Sequence, residues 1–493
     1  MATGKEVSRF RQCFPQVLAV MVKNILMMVF GMSLGMPTIL IARLSDRNDA
    51  SETISVEDGG ISWLGSLNFL SVPVGCLLSG LLTQPIGRKR SMQLISMLFF
   101  VAFFLFYMAS EAWHVFLALA MCGITGGLLE APTLIYVVEI TCASLRGSLV
   151  STSTLAILVG VITSFTLGAL LLWRTMALVN GCVSLFGLIT LTFIPESPYW
   201  LTEMGRTEDA RRSLAWLRGW VDLEDVDEEY QQICDDLNKK VRRSCEVESY
   251  RKGSFIKPFL LVSFAFFLAH FGITPINIYA VKIFQQLRVP VDSFLATILI
   301  GCVELTASVL LSLVVPRFGK RKLTFLSLAG VCINHILTAI TAYVLGSNAD
   351  DAARYLKWVP LFTILSATFF GYLMVYTLPW IIMGEIFPNQ IRDSAAGFSA
   401  GTGYVIGFLA NKTFLGLVDM ATLSGVLLMY SAIELVGIAV MYVWLPETEG
   451  KSLDDIMMYF VSRKKREGRV SPGKTDGIEN KSYETEENGN TKV

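Results

Sequence analysis

The sequence predicts an all-α membrane protein: twelve transmembrane helices in two pseudo-symmetric six-helix bundles, with a cytoplasmic helical insert between them. Three observations predict it. The chain is 53% hydrophobic and only 17% charged, against about a quarter charged in an ordinary soluble domain. Apolar runs of spanning length recur along it, and short charged motifs at the ends of those runs occur once in each half. Basic and acidic side chains balance at 41 each, and no basic block stands on a polar surface, so nucleic acid is set aside as a partner.

A helix crossing a hydrocarbon core roughly 30 Å thick needs about 20 mostly apolar residues, because in lipid only a helix satisfies its own backbone polar groups. By that measure the first half spans the membrane at 16–41, 59–83, 92–110, 113–137, 148–172 and 176–194. The second half does so at 256–284, 291–315, 323–345, 356–383, 395–418 and 422–445. The first run follows Lys5, Arg9 and Arg11 but has no small-residue cleavage site, so it reads as a retained helix. A polar stretch rich in Arg, Glu and Asp separates the halves. The chain therefore divides into a bundle (1–194), a cytoplasmic helical linker (195–255), a second bundle (256–445) and a cytoplasmic tail (446–493). The nine cysteines are scattered, mostly inside apolar runs such as those of Cys76, Cys122, Cys182 and Cys302, and read as packing residues.

Orientation comes from charge. Arg88, Lys89 and Arg90 follow the second span, Arg146 the fourth, and Arg317, Lys320, Arg321 and Lys322 the eighth. All belong to loops on one side, with the basic N-terminus and the tail. The opposite loops are poorer in Lys and Arg, and the first carries Asp46, Asp49, Glu52, Glu57 and Asp58. The basic side is expected to be cytoplasmic, with both termini there.

The halves also echo each other. Gly87-Arg88-Lys89-Arg90 matches Gly319-Lys320-Arg321-Lys322, about 230 residues later. Glu139 with Arg146 matches Glu385 with Arg392, and Pro195-Glu196-Ser197-Pro198 matches Pro446-Glu447-Thr448. Repeated halves build many transporters, with a midplane site between them and alternating access by rocking. Carboxylates and guanidiniums at neighbouring helix ends can pair. Arg88, Glu139, Arg146, Glu196, Arg321, Glu385, Arg392 and Glu447 are thus candidate gating residues that lock the halves when the inner side is closed; simple interfacial anchoring is the alternative.

At these motifs the chain resembles the sugar-porter family of the major facilitator superfamily. Pro195-Glu196-Ser197-Pro198-Tyr199-Trp200-Leu201 is similar to its signature after the sixth span, and Gly205 to Ala210 with Ser213 to Gly219 resembles its cytoplasmic insert. Pro379-Trp380, then Gly384-Glu385-Ile386-Phe387-Pro388 and Arg392, resembles the tenth-span signature. Pro446 to Leu453 resembles the motif closing the twelfth. Asn411-Lys412-Thr413-Phe414 looks most like the insect facilitated trehalose transporters. The resemblance implies a facilitative carrier of a sugar, trehalose or hexose-like, in the plasma membrane. It would act as a monomer with the lipid bilayer and a small molecule as its partners and with no cofactor.

A sugar leaving water needs a partner for each hydroxyl, and a Trp ring can cover its apolar face. The family supplies two Gln and an Asn on the seventh span; here that run reads Leu268-Ala269-His270-Phe271-Gly272-Ile273-Thr274, so Thr274 holds the Asn position. Asn277 and His270 remain as polar candidates beside it, either as ligand contacts or as interhelical hydrogen-bonding groups. Trp380 is retained, Tyr404 stands where the family has Trp, and Thr154 on the fifth span is a further candidate. Glu304 replaces an uncharged amide on the eighth span. An ionisable group within a span marks a functional site by default. Glu304 is read as a substrate-binding carboxyl, as a counter-charge for a cationic solute or proton, or as an internal partner of Lys23 or His270. Ser33 stands where proton-coupled relatives tend to carry Asp, which favours uniport over symport. Gln84 and Pro316 replace the Asp that precedes each loop glycine, leaving fewer charge pairs at the inner gate.

Two other classes compete. A non-transporting nutrient sensor would carry an enlarged cytoplasmic tail, and this one is short and polar. An enzyme would need a nucleophile set, paired catalytic carboxylates or a phosphate-cradling Gly loop, and none is evident; His114, His270 and His335 have no metal-ligand spacing.

Overall fold

The computed structural model describes residues 9–45, 54, 56, 58–244, 252–347, 355–387 and 392–451. Six helices make the first bundle: α1 (Arg9–Leu44), α2 (Asp58–Ile86), α3 (Arg88–Tyr107), α4 (Ala112–Ile140), α5 (Ala143–Leu170) and α6 (Trp173–Thr192). Three more, α7 (Pro198–Glu203), α8 (Thr207–Leu217) and α9 (Asp227–Ser244), form the insert. The second bundle opens with a broken span made of α10 (Lys252–Gly272), α11 (Thr274–Ile278) and α12 (Ala280–Gln286). It continues with α13 (Ser293–Phe318), α14 (Lys320–Ser347), α15 (Val359–Phe370), α16 (Leu378–Ile386) and α17 (Arg392–Trp444).

Among the described residues eleven segments are long and apolar enough to span, and the eleventh is two helices in one. Thr422 breaks α17 with φ 62° and ψ 164°, so its arms cross separately and the spans number twelve. Helices overrun their hydropathy windows at polar ends: α1 starts at Arg9 rather than 16, and α3 at Arg88 rather than 92. Hydropathy detects the hydrocarbon core, whereas a helix continues into the interface with its Lys and Arg.

Two spans of the second bundle are irregular. Ile273 leaves the helical region at φ −126° and ψ −49°, just before Pro275, whose missing N–H cannot continue the hydrogen-bond ladder. The tenth span inserts a π turn over Gly371–Val375 between α15 and α16, with the Tyr376 N–H donating to the Gly371 carbonyl at 2.9 Å. Such interruptions are tolerated in lipid where the backbone is buried in protein or lines a cavity.

Small residues set the tightest crossing. A Cβ on Gly31 of α1 would lie 1.9 Å from the Ile157 carbonyl oxygen of α5, and one on Gly160 of α5 would lie 2.1 Å from that of Met28. The two backbones touch, as van der Waals packing without a hydrophobic drive requires in lipid.

The insert has its own small core of Trp200, Leu201, Ala210, Leu214, Val226, Tyr230 and Ile233. It is tied to the first bundle at one end. Trp200 Nε1 donates to the Gln84 carbonyl at 2.7 Å, and Arg218 Nη1 to that of Ile140 at 3.2 Å. Burial opposes the Arg218 charge, but hydrogen bonds to the Glu229 carboxylate outweigh it and hold its pKa above the usual guanidinium value. The end of the molecule bearing the insert is called the insert face below, and the opposite end the far face.

Candidate functional site

A cavity of about 660 Å³ lies between the bundles, within the range of about 300–1,000 Å³ usual for small-molecule sites. All seven residues singled out as substrate contacts line it: Thr154 from α5, His270 from α10, Thr274 and Asn277 from α11, Glu304 from α13, Trp380 from α16 and Tyr404 from α17. The break after Gly272 matters here. It ends α10 two residues beyond His270 and restarts the chain as α11, which carries Thr274 and Asn277. The His270 Nδ1 and Thr274 hydroxyl are 3.0 Å apart, and Asn277 Nδ2 donates to Glu304 Oε1 at 2.6 Å. Tyr372, carried by the π turn, lies beside that pair.

The internal partners considered for Glu304 are engaged elsewhere. Lys23 donates to the Ser153 hydroxyl at 2.6 Å, and His270 faces Thr274. Trp380 lines the cavity and packs T-shaped against Phe266 at 5.1 Å and Tyr404 at 5.8 Å.

The lining also holds polar residues that sequence motifs did not mark, among them Tyr372, Tyr376 and a second acid. Glu130 of α4 reaches the cavity and accepts from the Tyr404 hydroxyl at 2.5 Å and from Cys76 Sγ at 3.4 Å. The signal was present, since Glu130 is the one Asp, Glu, Lys or Arg in the run 113–137 and meets the criterion that singled out Glu304. Its bond to Tyr404 joins the first bundle to the second. Ser33, by contrast, donates only to the Phe30 carbonyl of its own helix, at 2.7 Å.

The cavity is open at one end. Toward the insert face it is lined by the exposed Ser151, Thr154 and Ser312 and reaches Pro316 and Lys320. At the far face the bundles meet. Lys412 of α17 donates to the Ser62 hydroxyl of α2 at 2.7 Å and lies 4.2 Å from the centre of the Trp63 ring. Trp63 packs against Phe408 at 5.9 Å, and the Arg43 guanidinium of α1 covers the Phe294 ring of α13 at 4.6 Å.

The repeated charged motifs form two matching anchors at the insert face. In the first, Glu196 accepts from the backbone N–H of Arg88 at 3.0 Å and of Lys89 at 2.9 Å. Glu139 takes the Arg88 guanidinium through two bonds of 2.9 and 3.1 Å. In the second, Glu447 accepts from the N–H of Lys320 at 3.2 Å and of Arg321 at 3.1 Å, and Glu385 takes the Lys320 ammonium at 2.6 Å. Gly87 and Gly319 have φ of 101° and 77°, and a Cβ on either would strike the Glu196 or Glu447 carboxylate at 2.6 or 2.7 Å.

Two candidate gating residues make other contacts in this conformation. Arg146 is not the partner of Glu139; its Nη2 donates to the Thr141 carbonyl at 3.2 Å, because it follows the short α4–α5 link and caps the end of α4. Lys320, first after the loop glycine as Arg88 is, takes the place of Arg88 in the second anchor, while Arg321 donates to the Tyr442 carbonyl at 2.7 Å. The Arg392 side chain lies outside the described residues. Among the described residues no ion pair crosses between the bundles at the insert face, so the anchors brace each half separately in this conformation.

Comparison with known proteins decides the family. A family model described as sugar (and other) transporter matches residues 26–460. The chain belongs to that family. Among curated relatives, a facilitated trehalose transporter Tret1 of Culex quinquefasciatus is 29% identical over 93% of this chain and 88% of its own. Tret1 of Aedes aegypti is 29% identical over 92% of this chain, which spans 56% of that longer relative. Among solved structures, the xylose transporter XylE of E. coli in a partially occluded inward-open conformation superposes with a TM-score of 0.71. It is 20% identical, over 89% of this chain and 99% of its own. The cavity between the two six-helix bundles is the space in this molecule that a small solute fits.

Proposed function

We propose that the protein is a facilitative transporter of a sugar, trehalose or hexose-like, working by alternating access. One observation carries the reading: a cavity between the bundles, open toward the insert face and covered at the far face by contacts of Lys412, Trp63, Phe408 and Arg43. Its lining suits a polyol. Trp380 and Tyr404 offer ring faces to C–H surfaces, while Thr154, Thr274, Asn277, Glu304 and Tyr372 offer hydrogen-bonding partners. Transport follows when the anchored bundles rock, breaking the far-face contacts and bringing the insert-face ends together, where the charged motifs of the two halves meet. Ser33 in place of an acid supports uniport.

The insert face is read as cytoplasmic, since Arg88, Lys89, Arg90, Arg146, Lys320 and Arg321 gather there. Both termini then lie in the cytoplasm of a plasma-membrane protein acting as a single chain. The names of the trehalose-transporter relatives support the solute class. The reading is tested by counterflow of labelled trehalose and glucose into vesicles containing the purified protein. Saturable uptake, indifferent to an imposed pH gradient, is expected. No sugar entry through correctly folded, oriented protein would overturn it.

A further inference from the structure

The polar lining of the cavity is unbalanced in charge. Each bundle contributes one acid, Glu130 from α4 and Glu304 from α13. The hydrogen-bond partners these acids have in the structure are neutral: a phenol and a thiol for Glu130, and an amide for Glu304, with the Tyr372 ring beside it. Among the described lining residues the one Lys or Arg is Lys320, at the mouth, where Glu385 and Glu449 hold it at 2.6 and 2.9 Å. A carboxylate withdrawn from water without a counter-charge is costly, so a solute bringing a positive charge would gain what the protein leaves unsupplied.

Two further observations point the same way. Asn277 is 9% exposed and lines the cavity, yet its Oδ1 has no hydrogen-bond partner among the described residues. With the two acids, this gives the lining a surplus of acceptors, which is what an ammonium with three donors and no acceptor complements. Aromatic rings also surround the Glu130 contact: Tyr404, its donor, has Trp380 at 5.8 Å and Phe69 at 6.4 Å. Rings at such spacing can hold a cation within about 6 Å of a face.

We propose that the cavity accepts a protonated amine, an amino sugar or comparable hydroxylated monocation, with Glu130 as its counter-charge and the rings of Phe69, Trp380 and Tyr404 around it. The inference rests on the alternating-access reading but not on a neutral sugar being the solute. Glucosamine, N-acetylglucosamine and glucose separate the two, because they share a ring and differ in charge.

The full chain in vesicles is to be assayed for uptake of each labelled compound. Glucosamine is expected to enter at least tenfold better than N-acetylglucosamine. Glu130→Gln should cut that ratio tenfold or more, and Glu130→Asp should recover part of it; melting temperature reports that each variant is folded. A wild-type ratio near one, or a ratio unmoved by Glu130→Gln, overturns the proposal. Entry of glucosamine without any neutral sugar would sink the sugar reading and leave this one standing. If no compound enters, thermal stabilisation of the solubilised wild type by glucosamine but not by N-acetylglucosamine supports the site, and its absence overturns it.

Discussion

Glu139→Gln should destabilise the first bundle more than removal of both members of its ion pair. The side chains of Arg88 and Glu139 are 9% and 14% exposed, so neither is well served by water. The substitution replaces one carboxylate oxygen with an NH₂ group that faces a guanidinium N–H. The nearest remaining acid, Glu203, is 4.0 Å away and half exposed. Breaking a buried pair from one side costs about 3–5 kcal/mol because a charge is left uncompensated, whereas replacing both partners is often close to neutral. With Glu203 nearby the lower figure applies, about 3 kcal/mol, or roughly 6–12 °C in the melting of a bundle of this size. Arg88→Gln/Glu139→Gln should recover most of that loss. Thermal unfolding of the wild type, both single variants and the double variant in detergent measures the coupling. A single variant melting within about 2 °C of wild type, or a double variant melting below the Glu139 single, would refute the reasoning.

Three other substitutions follow from the same geometry. Glu304→Leu deprives the Asn277 amide of its acceptor and should cost about 1–3 kcal/mol; Glu304→Gln keeps an acceptor and should melt close to wild type, so equal losses would contradict the assignment. Lys412→Ala removes the bond to Ser62 and the contact with Trp63 at the far face, together about 1–2 kcal/mol. It should raise far-side labelling of a cysteine at Thr38 by about 5–30-fold, and unchanged labelling would remove these contacts from the closure. Gly160→Leu drives a side chain into the Met28 carbonyl and should abolish a monodisperse peak on size-exclusion chromatography, while a wild-type profile would show that α1 and α5 can part without penalty.

Much of the fold was legible because lipid reduces the choice of structure to helices whose length is set by the membrane. The ends of α1 and α3 were less legible, because Arg9 and Arg88 continue a helix past the apolar run that hydropathy detects. The break at Ile273 and the π turn at Gly371 left weaker marks, Pro275 and a lone glycine, which other spans tolerate without interruption. At the site, Trp380, Glu304 and Tyr404 stood out by resemblance or by charge, and the cavity brings them together. Glu130 carried the same signal inside an apolar run but lay outside any motif. Lys320 and Arg88 take equivalent places because each stands first after its loop glycine, and Arg321, about 100° further round the helix, finds another partner. The hydrogen bond between Tyr404 and Glu130 depends on how two bundles face each other, which periodicity within a helix does not encode.

Alternating access through one cavity is tested most directly by labelling from both sides under turnover. In a cysteine-free background, Ser312→Cys lies on the exposed lining toward the insert face, and Thr38→Cys is buried toward the far face. An impermeant thiol reagent applied to the insert face should modify position 312 in the absence of solute. Saturating trehalose should slow that reaction and speed modification of position 38 from the far side, in proportion. Rates at both positions that stay the same with and without the sugar would contradict the account.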